Sequence, residues 1–425
     1  MNMPDPASPD LRRARIAWCV YDWANSAFPT VIVTFVFSAY FATAVAADKA
    51  AGTAQWSRAL AISGLLIALL SPVLGAIADR SGRRKPWLAA GSAITITGAA
   101  LLWFVRPEPD YVLYALIVFG IANIAFEISQ VFYNAMLPTI TPKERIGRLS
   151  GWGWGLGYAG GLSCLVIALF AFVQGDPPAL GLEKASAEHV RVIGPMVAIW
   201  FAVFCIPLFL LVPDAPSAGL RPAAAAREGI ATLIATLKRV RDYRQVAWFL
   251  LARVFYVDGM NTMFAFGGIY AAGTFGMTIA EIIQFGIALN ISAGLGAAGF
   301  AWLDDRMGAK KTIAIALTGL IALGIALLLV ESKMWFWIIG VPLGLFMGPA
   351  QASSRSLMAR LAPAELRTEM FGLFAFSGKA AAFMGPAILG VVTVAMDSQR
   401  AGMATIVVFL VAGLTILIWK VREPA

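Results

Sequence analysis

Six ionisable residues interrupt stretches that are otherwise almost wholly apolar: Asp22, Glu127, Arg253, Asp258, Arg355 and Lys379. Three are acids and three are bases, so the set can neutralise itself. Charges are costly inside a bilayer, where they face a bundle interior or a water-filled path and mark function. The first half of the chain supplies only acid here, and the second half is net basic. A cavity between the halves would suit a zwitterion, its ammonium toward Asp22 or Glu127 and its carboxylate toward Arg355 or Lys379. A static salt bridge between the halves is the rival reading.

Neutral polar residues accompany these charges. Gln130 and Asn134 follow Glu127 at i+3 and i+7, one polar stripe on a helix, and Asn25 and Asn261 stand close after Asp22 and Asp258. The residues expected to bind substrate or ion are therefore Asp22, Asn25, Glu127, Gln130, Asn134, Asp258, Asn261 and Lys379. Counting from the ends of the apolar runs, at a helical rise of about 1.5 Å per residue, puts Asp22, Glu127 and Arg355 in the cytoplasmic third, with Lys379 and Asp258 nearer the midplane. Other chemistry is poorly supplied. His189 is the single histidine and lies in a polar stretch, while Cys19, Cys164 and Cys205 are far apart with no CxxC spacing. Neither a metal site nor a disulfide framework is indicated. No GxxxxGK[ST] loop occurs, which argues against ATP-driven work. A membrane enzyme is a poor second class, and a non-transporting sensor or scaffold is a third. No cofactor and no metal are expected.

These residues need membrane-spanning elements to hold them. The chain has 425 residues, 60% hydrophobic and 13% charged, against about 45–50% and about 25% in soluble domains. That excludes a soluble enzyme and a disordered chain. A spanning helix needs about 20 mostly apolar residues. Runs near that length occupy 16–46, 59–78, 87–105, 111–137, 149–173 and 194–212, then 246–273, 280–303, 312–330, 335–358, 370–395 and 402–419. Twelve spans are expected in an all-α membrane protein, with 1–212 and 246–425 as six-helix bundles. The segment 213–245 joins them. There Ile230, Leu233, Ile234 and Leu237 recur beside Lys238, Arg239 and Arg241, the pattern of an amphipathic helix on a cytoplasmic leaflet. The first run is too long for a cleavable signal.

The net charge of +9 has a sidedness. Of 33 Lys and Arg residues, 23 fall on the side of the termini, 6 in the opposite connections and the other four within or at the edge of runs. Basic residues mark the cytoplasmic side, so both termini are expected in the cytoplasm, in a bacterial inner membrane. Nucleic acid is excluded as a partner. The expected partners are the bilayer and a small-molecule substrate, with or without a coupling proton, and the working unit is a monomer.

The halves repeat. Asp79-Arg80-Ser81-Gly82-Arg83-Arg84-Lys85 returns in the second half, in the same register, as Asp305-Arg306-Met307-Gly308-Ala309-Lys310-Lys311. Gln130, Pro142, Glu144 and Gly151 return at a second shared offset as Gln351, Pro363, Glu365 and Gly372. Such duplication places a substrate site near the midplane between halves that rock. Gly82 permits a tight turn, and Asp79 can cap a helix N-terminus from the other half. Gly75, Asp79, Arg80, Gly82, Arg83, Arg84, Asp305, Arg306 and Arg355 are therefore the expected gate.

Gly75-x-x-x-Asp79-Arg80-x-Gly82-Arg83-Arg84 resembles the signature loop of the major facilitator superfamily. Within it, Tyr21-Asp22-Trp23-Ala24-Asn25-Ser26-Ala27-Phe28 resembles the hallmark of the autophagy-related vacuolar effluxers and their bacterial relatives. Tyr133 to Pro138 and the glycine-rich block from Gly151 to Gly161 are similar too. The resemblance implies twelve helices in two bundles and, from the fungal members, export of neutral amino acids. Two features depart from superfamily patterns. The fourth run has no arginine, leaving Glu127 its only charge, and the fifth lacks a Gly-Pro pair, so neither proton coupling nor antiport follows. The expected function is secondary transport of a small polar or zwitterionic solute by alternating access, with a sensor of the same fold or a proton-coupled transporter of sugars or other metabolites as alternatives.

Overall fold

The structure, a computed structural model, describes residues 9–175, 179–216, 218–239 and 241–423. Its elements are α1 (Pro9–Asn25, prolonged through wide π-helical turns to Val45), α2 (Lys49–Ser81), α3 (Lys85–Leu101), α4 (Val112–Ile140), α5 (Ile146–Ile167) and α6 (Ile193–Leu211). A connecting helix, α7 (Pro222–Lys238), leads to α8 (Arg244–Phe275), α9 (Ile279–Met307) and α10 (Ala309–Leu329). The chain closes with α11 (Lys333–Gly340, then Leu343–Leu361), α12 (Arg367–Lys379, then Met384–Ala395) and α13 (Gln399–Lys420). No strand occurs among the described residues.

Eleven of these helices are long and apolar enough to cross a membrane. The twelfth expected span, α8, has 32 residues, about 48 Å of helix, but Arg253, Asp258 and Asn261 lower its apolarity. Together they make the twelve-helix architecture of the major facilitator fold, a multi-pass integral membrane protein. Burial reflects the solvent: Leu113, Ile199, Leu210 and Val408 are exposed, as lipid-facing side chains should be, because lipid does not drive them inward.

Besides the turn at Val341–Pro342 in α11, two helices depart from regular α geometry, each beside the molecular centre. α1 loses regular geometry at Ser26–Phe28, where Pro29 enters the chain. α12 breaks at Ala380–Phe383, and Pro386 then sits in the first turn of its second segment, where a missing N–H costs nothing. The Gly385-Pro386 pair, which in the sequence marks either a bend used in rocking or a static kink, thus lies a few residues after the break. The two charges of α8 hold α12 on either side of the break. Asp258 Oδ2 accepts the Gly385 N–H at 2.8 Å. Arg253 Nη1 donates to the Phe374 carbonyl at 2.5 Å and to Ser377 Oγ at 2.8 Å.

The connecting helix has a protein-facing side that its apolar stripe did not reveal. Ala225, Gly229, Leu233 and Thr236 are its protein-facing positions, while Ile230, Ile234 and Leu237 are exposed. Gly229 allows the approach, since a Cβ there would lie 2.8 Å from Ile77. The helix is a strap over the ends of α2 and α12, and only its outward apolar stripe is left for a membrane surface.

Candidate functional site

Helices alternate direction, so the ends of α2, α4, α9 and α11 lie with the chain termini on one side of the molecule, called here the terminal side. On that side the two repeated loops make two matching latches. Asp79 at the end of α2 accepts hydrogen bonds from Thr368 N (3.1 Å), Thr368 Oγ1 (2.6 Å) and Glu369 N (2.9 Å) in the first turn of α12. Asp305 at the end of α9 accepts from Arg148 N at 3.0 Å in the first turn of α5, with the Arg148 guanidinium 3.3 Å away. A carboxylate there satisfies open N–H groups and meets the positive helix end. Gly82 and Gly308 make the turns at φ +84° and +90°, where a Cβ would be strained. Gly75 lets α2 touch α12, for a Cβ there would collide with the Thr368 carbonyl.

Each latch carries a second layer that the repeat did not reveal. Asp214 accepts from Arg84 N and Lys85 N at the start of α3. Glu423 does the same for Ala309 N and Lys310 N at the start of α10, and binds Arg360, which also reaches Asp304 at 2.9 Å. Arg84 contacts Asp79 at 3.4 Å, Arg80 donates to Thr232 of the strap, and Arg83 and Arg306 are exposed. These acids were hidden in the sequence because they lie outside the apolar runs, where charge is unremarkable.

Above the closed terminal side is a cavity of about 410 Å³ lined by both halves. Of the eight residues expected to bind substrate or ion, Asp22, Asn25, Glu127, Gln130, Asn134, Asn261 and Lys379 line it. Asp258 does not: it is buried at 3% exposure and held by the α12 break. Arg355, expected in the gate, lines the same cavity.

Two ion pairs cross between the halves here. Lys379 Nζ lies 2.7 Å from Glu127 Oε1, with side chains 33% and 27% exposed. Arg355 Nη1 lies 3.1 Å from Asp22 Oδ2, with both side chains 10% exposed or less. Arg355 also donates to Ser150 Oγ and the Ser150 carbonyl, and its guanidinium is 4.7 Å from the centre of the Trp18 ring. The pairing corrects the expected depth of Glu127. α4 runs to Ile140, so Glu127 stands thirteen residues, about 20 Å, from the terminal end of its helix. Glu127 therefore shares the level of Lys379, not a shallower one.

Four buried donors among the lining residues have no protein partner: Asn25 Nδ2, Gln130 Nε2, Trp154 Nε1 and Arg253 Nε. Trp154 and Tyr158 were missed by the sequence reading, where they vanish among the glycines of α5. Tyr158 donates to Gln351 Oε1 at 2.8 Å, and Gln351 was legible as the repeat partner of Gln130. The cavity continues away from the terminal side into a chamber of about 990 Å³ that reaches Lys49, Ile282 and Phe336 at the far helix ends.

A model of vacuole effluxer Atg22-like proteins matches residues 56–146 and 141–423. The chain belongs to this family. The match omits the Tyr21–Phe28 block, but similarity to a Bacillus subtilis protein, the uncharacterized MFS-type transporter YxiO, extends over it: 27% identity over 412 residues, 96% of this chain and 95% of that one. Autophagy-related protein 22 of Kluyveromyces lactis is 24% identical over 75% of this chain and 70% of its own length. For the Cryptococcus neoformans protein of the same name (strain JEC21) the figures are 27%, 64% and 49%, so the chain spans about half of that fungal protein. Among solved structures, the proton:xylose symporter XylE superposes with a TM-score of 0.73 at 13% identity over 97% of this chain and 96% of its own. The transporter FucP in the outward conformation gives 0.69 at 14% over 97% and 99%. These likenesses establish the major facilitator fold of this Atg22-family chain.

Proposed function

We propose that the protein is a secondary transporter that moves a small polar or zwitterionic solute, with neutral amino acids the first candidates, by alternating access. The observation that carries this reading is the Glu127–Lys379 pair. It joins the two halves at 2.7 Å, yet its side chains stay 27% and 33% exposed to the cavity, so a solute can reach and divide it. An ammonium would take the place of Lys379 at Glu127, and a carboxylate would take Lys379. The free N–H groups of Asn25, Gln130 and Trp154 would supply further donors. Dividing a pair that links the halves gives the solute a differential hold on two arrangements, which alternating access requires. Closed latches on the terminal side and a chamber reaching the other side support an outward-facing arrangement with cytoplasmic termini. The Asp22–Arg355 pair, almost wholly buried below, serves as a fixed floor.

Reconstitution tests the reading. Proteoliposomes would be screened for uptake of amino acids and sugars, with and without a pH gradient, comparing wild type with Glu127→Gln. A zwitterionic substrate is expected, with uptake reduced at least tenfold in the variant. Undiminished uptake and an unchanged pH response would remove Glu127 from the mechanism.

A further inference from the structure

The two halves are unequal at the end remote from the termini. In the first half that end is filled: Trp56 stacks on Phe119 at 3.9 Å between ring centres, with Phe41 at 5.3 Å and Phe37 at 6.2 Å from Trp56. All four rings are at most 6% exposed. In the second half the repeat offsets put Ile282 where the first half has Trp56, and Gly340 where it has Phe119. Phe285 occupies the space beside Gly340 and packs on Phe336 at 4.9 Å between ring centres, and these rings border, without filling, a chamber of about 990 Å³. Its walls are mostly apolar and thinned by Gly267, Gly268, Gly286 and Gly324, and it passes beyond the central helices to α10 and α13. Glu127, Asn290 and Gln351 line both this chamber and the polar cavity, so the two spaces are continuous.

A polar cavity opening into an apolar chamber is shaped for a molecule with two ends. Its size lies at the top of the roughly 300–1,000 Å³ that drug-sized ligands fill, far beyond the side chain of any one amino acid. We infer that the preferred substrate is a zwitterionic amphiphile, its head at the Glu127–Lys379 pair and an apolar body larger than a single amino-acid side chain in the chamber of the second half. This rests on the reading of the pair as the head site given above.

Two glycines make the inference testable without disturbing the backbone. A Cβ on Gly286 would meet only the Phe35 ring at 3.9 Å, and one on Gly324 only Val407 at 3.6 Å; both are ordinary contacts, so a leucine at either position grows into the chamber. Binding of L-α-amino acids with unbranched alkyl side chains, from alanine to 2-aminododecanoic acid, would be followed by tryptophan fluorescence of the protein in nanodiscs, with empty nanodiscs correcting for partition. Each methylene taken from water into the chamber should tighten binding about three- to fourfold, and the gain should continue well past leucine size. Gly286→Leu and Gly324→Leu should erase the gain for long members by at least tenfold and leave alanine within twofold. Glu127→Gln should weaken every member by a similar factor. Affinity that levels off at leucine size, or glycine variants that weaken alanine as much as the long members, would overturn the chamber assignment while leaving the head site standing. Chain-length dependence lost in the glycine variants yet indifferent to Glu127→Gln would sustain the chamber and overturn the head site. Failure of every member to bind overturns both.

Discussion

Two ion pairs of the same composition, acid from the first half and base from the second, differ in their surroundings, and their variants should differ accordingly. Arg355 and Asp22 are buried against Trp18 and Ser150. Removing one partner strands a buried charge, which costs about 3–5 kcal/mol, so Arg355→Ala should lower the thermal unfolding midpoint sharply. The Glu127–Lys379 pair is partly open to solvent, and pairs so placed contribute about 1 kcal/mol or less. Lys379→Met should therefore leave the melting temperature near wild type while impairing uptake. Equal melting losses in both variants would contradict this division into floor and site. Asp258 makes a third case. Its contact with the Gly385 N–H needs only an acceptor, which an amide oxygen supplies. Asp258→Asn should keep transport and its pH response, whereas Asp258→Ala should lose about 1–3 kcal/mol for the orphaned N–H. Abolished uptake in the asparagine variant would restore Asp258 to the substrate path.

At the level of elements, the molecule closes its terminal side by letting the end of one helix cap the start of another, twice. Asp79 serves α12 and Asp305 serves α5, and small residues bring the helices into contact. Ser71 lies fully buried at the crossing of α2 and α12, facing Gly372. With the three native cysteines replaced, Ser71→Cys should react slowly with maleimide and several-fold faster when Asp79→Ala is added. Adding Asp305→Ala should accelerate it again, and an unchanged rate in the double variant would sink the latch. Much of this was legible in the sequence: the Asp-Arg-x-Gly repeat, returning in register in the second half, marked both loops, and the capping role followed from the aspartate alone. The receiving groups, Thr368 and Glu369, were not legible, because an N–H at a helix start has no signature apart from the helix that ends there. Breaks were only partly legible. Gly385-Pro386 flagged α12, but the chain opens at Ala380–Phe383, with Arg253 bonded to Phe374 before the break and Asp258 to Gly385 after it. The strap was legible as an amphipathic helix, but its protein-facing side was not, since Gly229, not the larger apolar residues, makes the close contact there.

For the whole molecule, the unequal distribution of 33 basic residues predicts orientation. A green fluorescent protein fused after Ala425 in a bacterial host should fluoresce, and alkaline phosphatase fused there should be inactive, if both termini are cytoplasmic; the reverse pattern would invert the topology. Hydropathy and internal repetition are properties of contiguous sequence, so twelve spans, the duplicated half and the paired loops could be read from the residues themselves, and the fold followed. Which acid meets which base could not. Asp22 and Arg355 are 333 positions apart, and Glu127 and Lys379 are 252. Their meeting depends on how each helix is rotated, where α1 and α12 break, and how far α4 continues past its apolar run. Those are set by packing between helices, as is the chamber that Phe285 and Phe336 border in the second half. The sequence placed six charges in the membrane; the tertiary structure made two of them a buried floor, two the anchors of a broken helix, and two an open pair in a cavity.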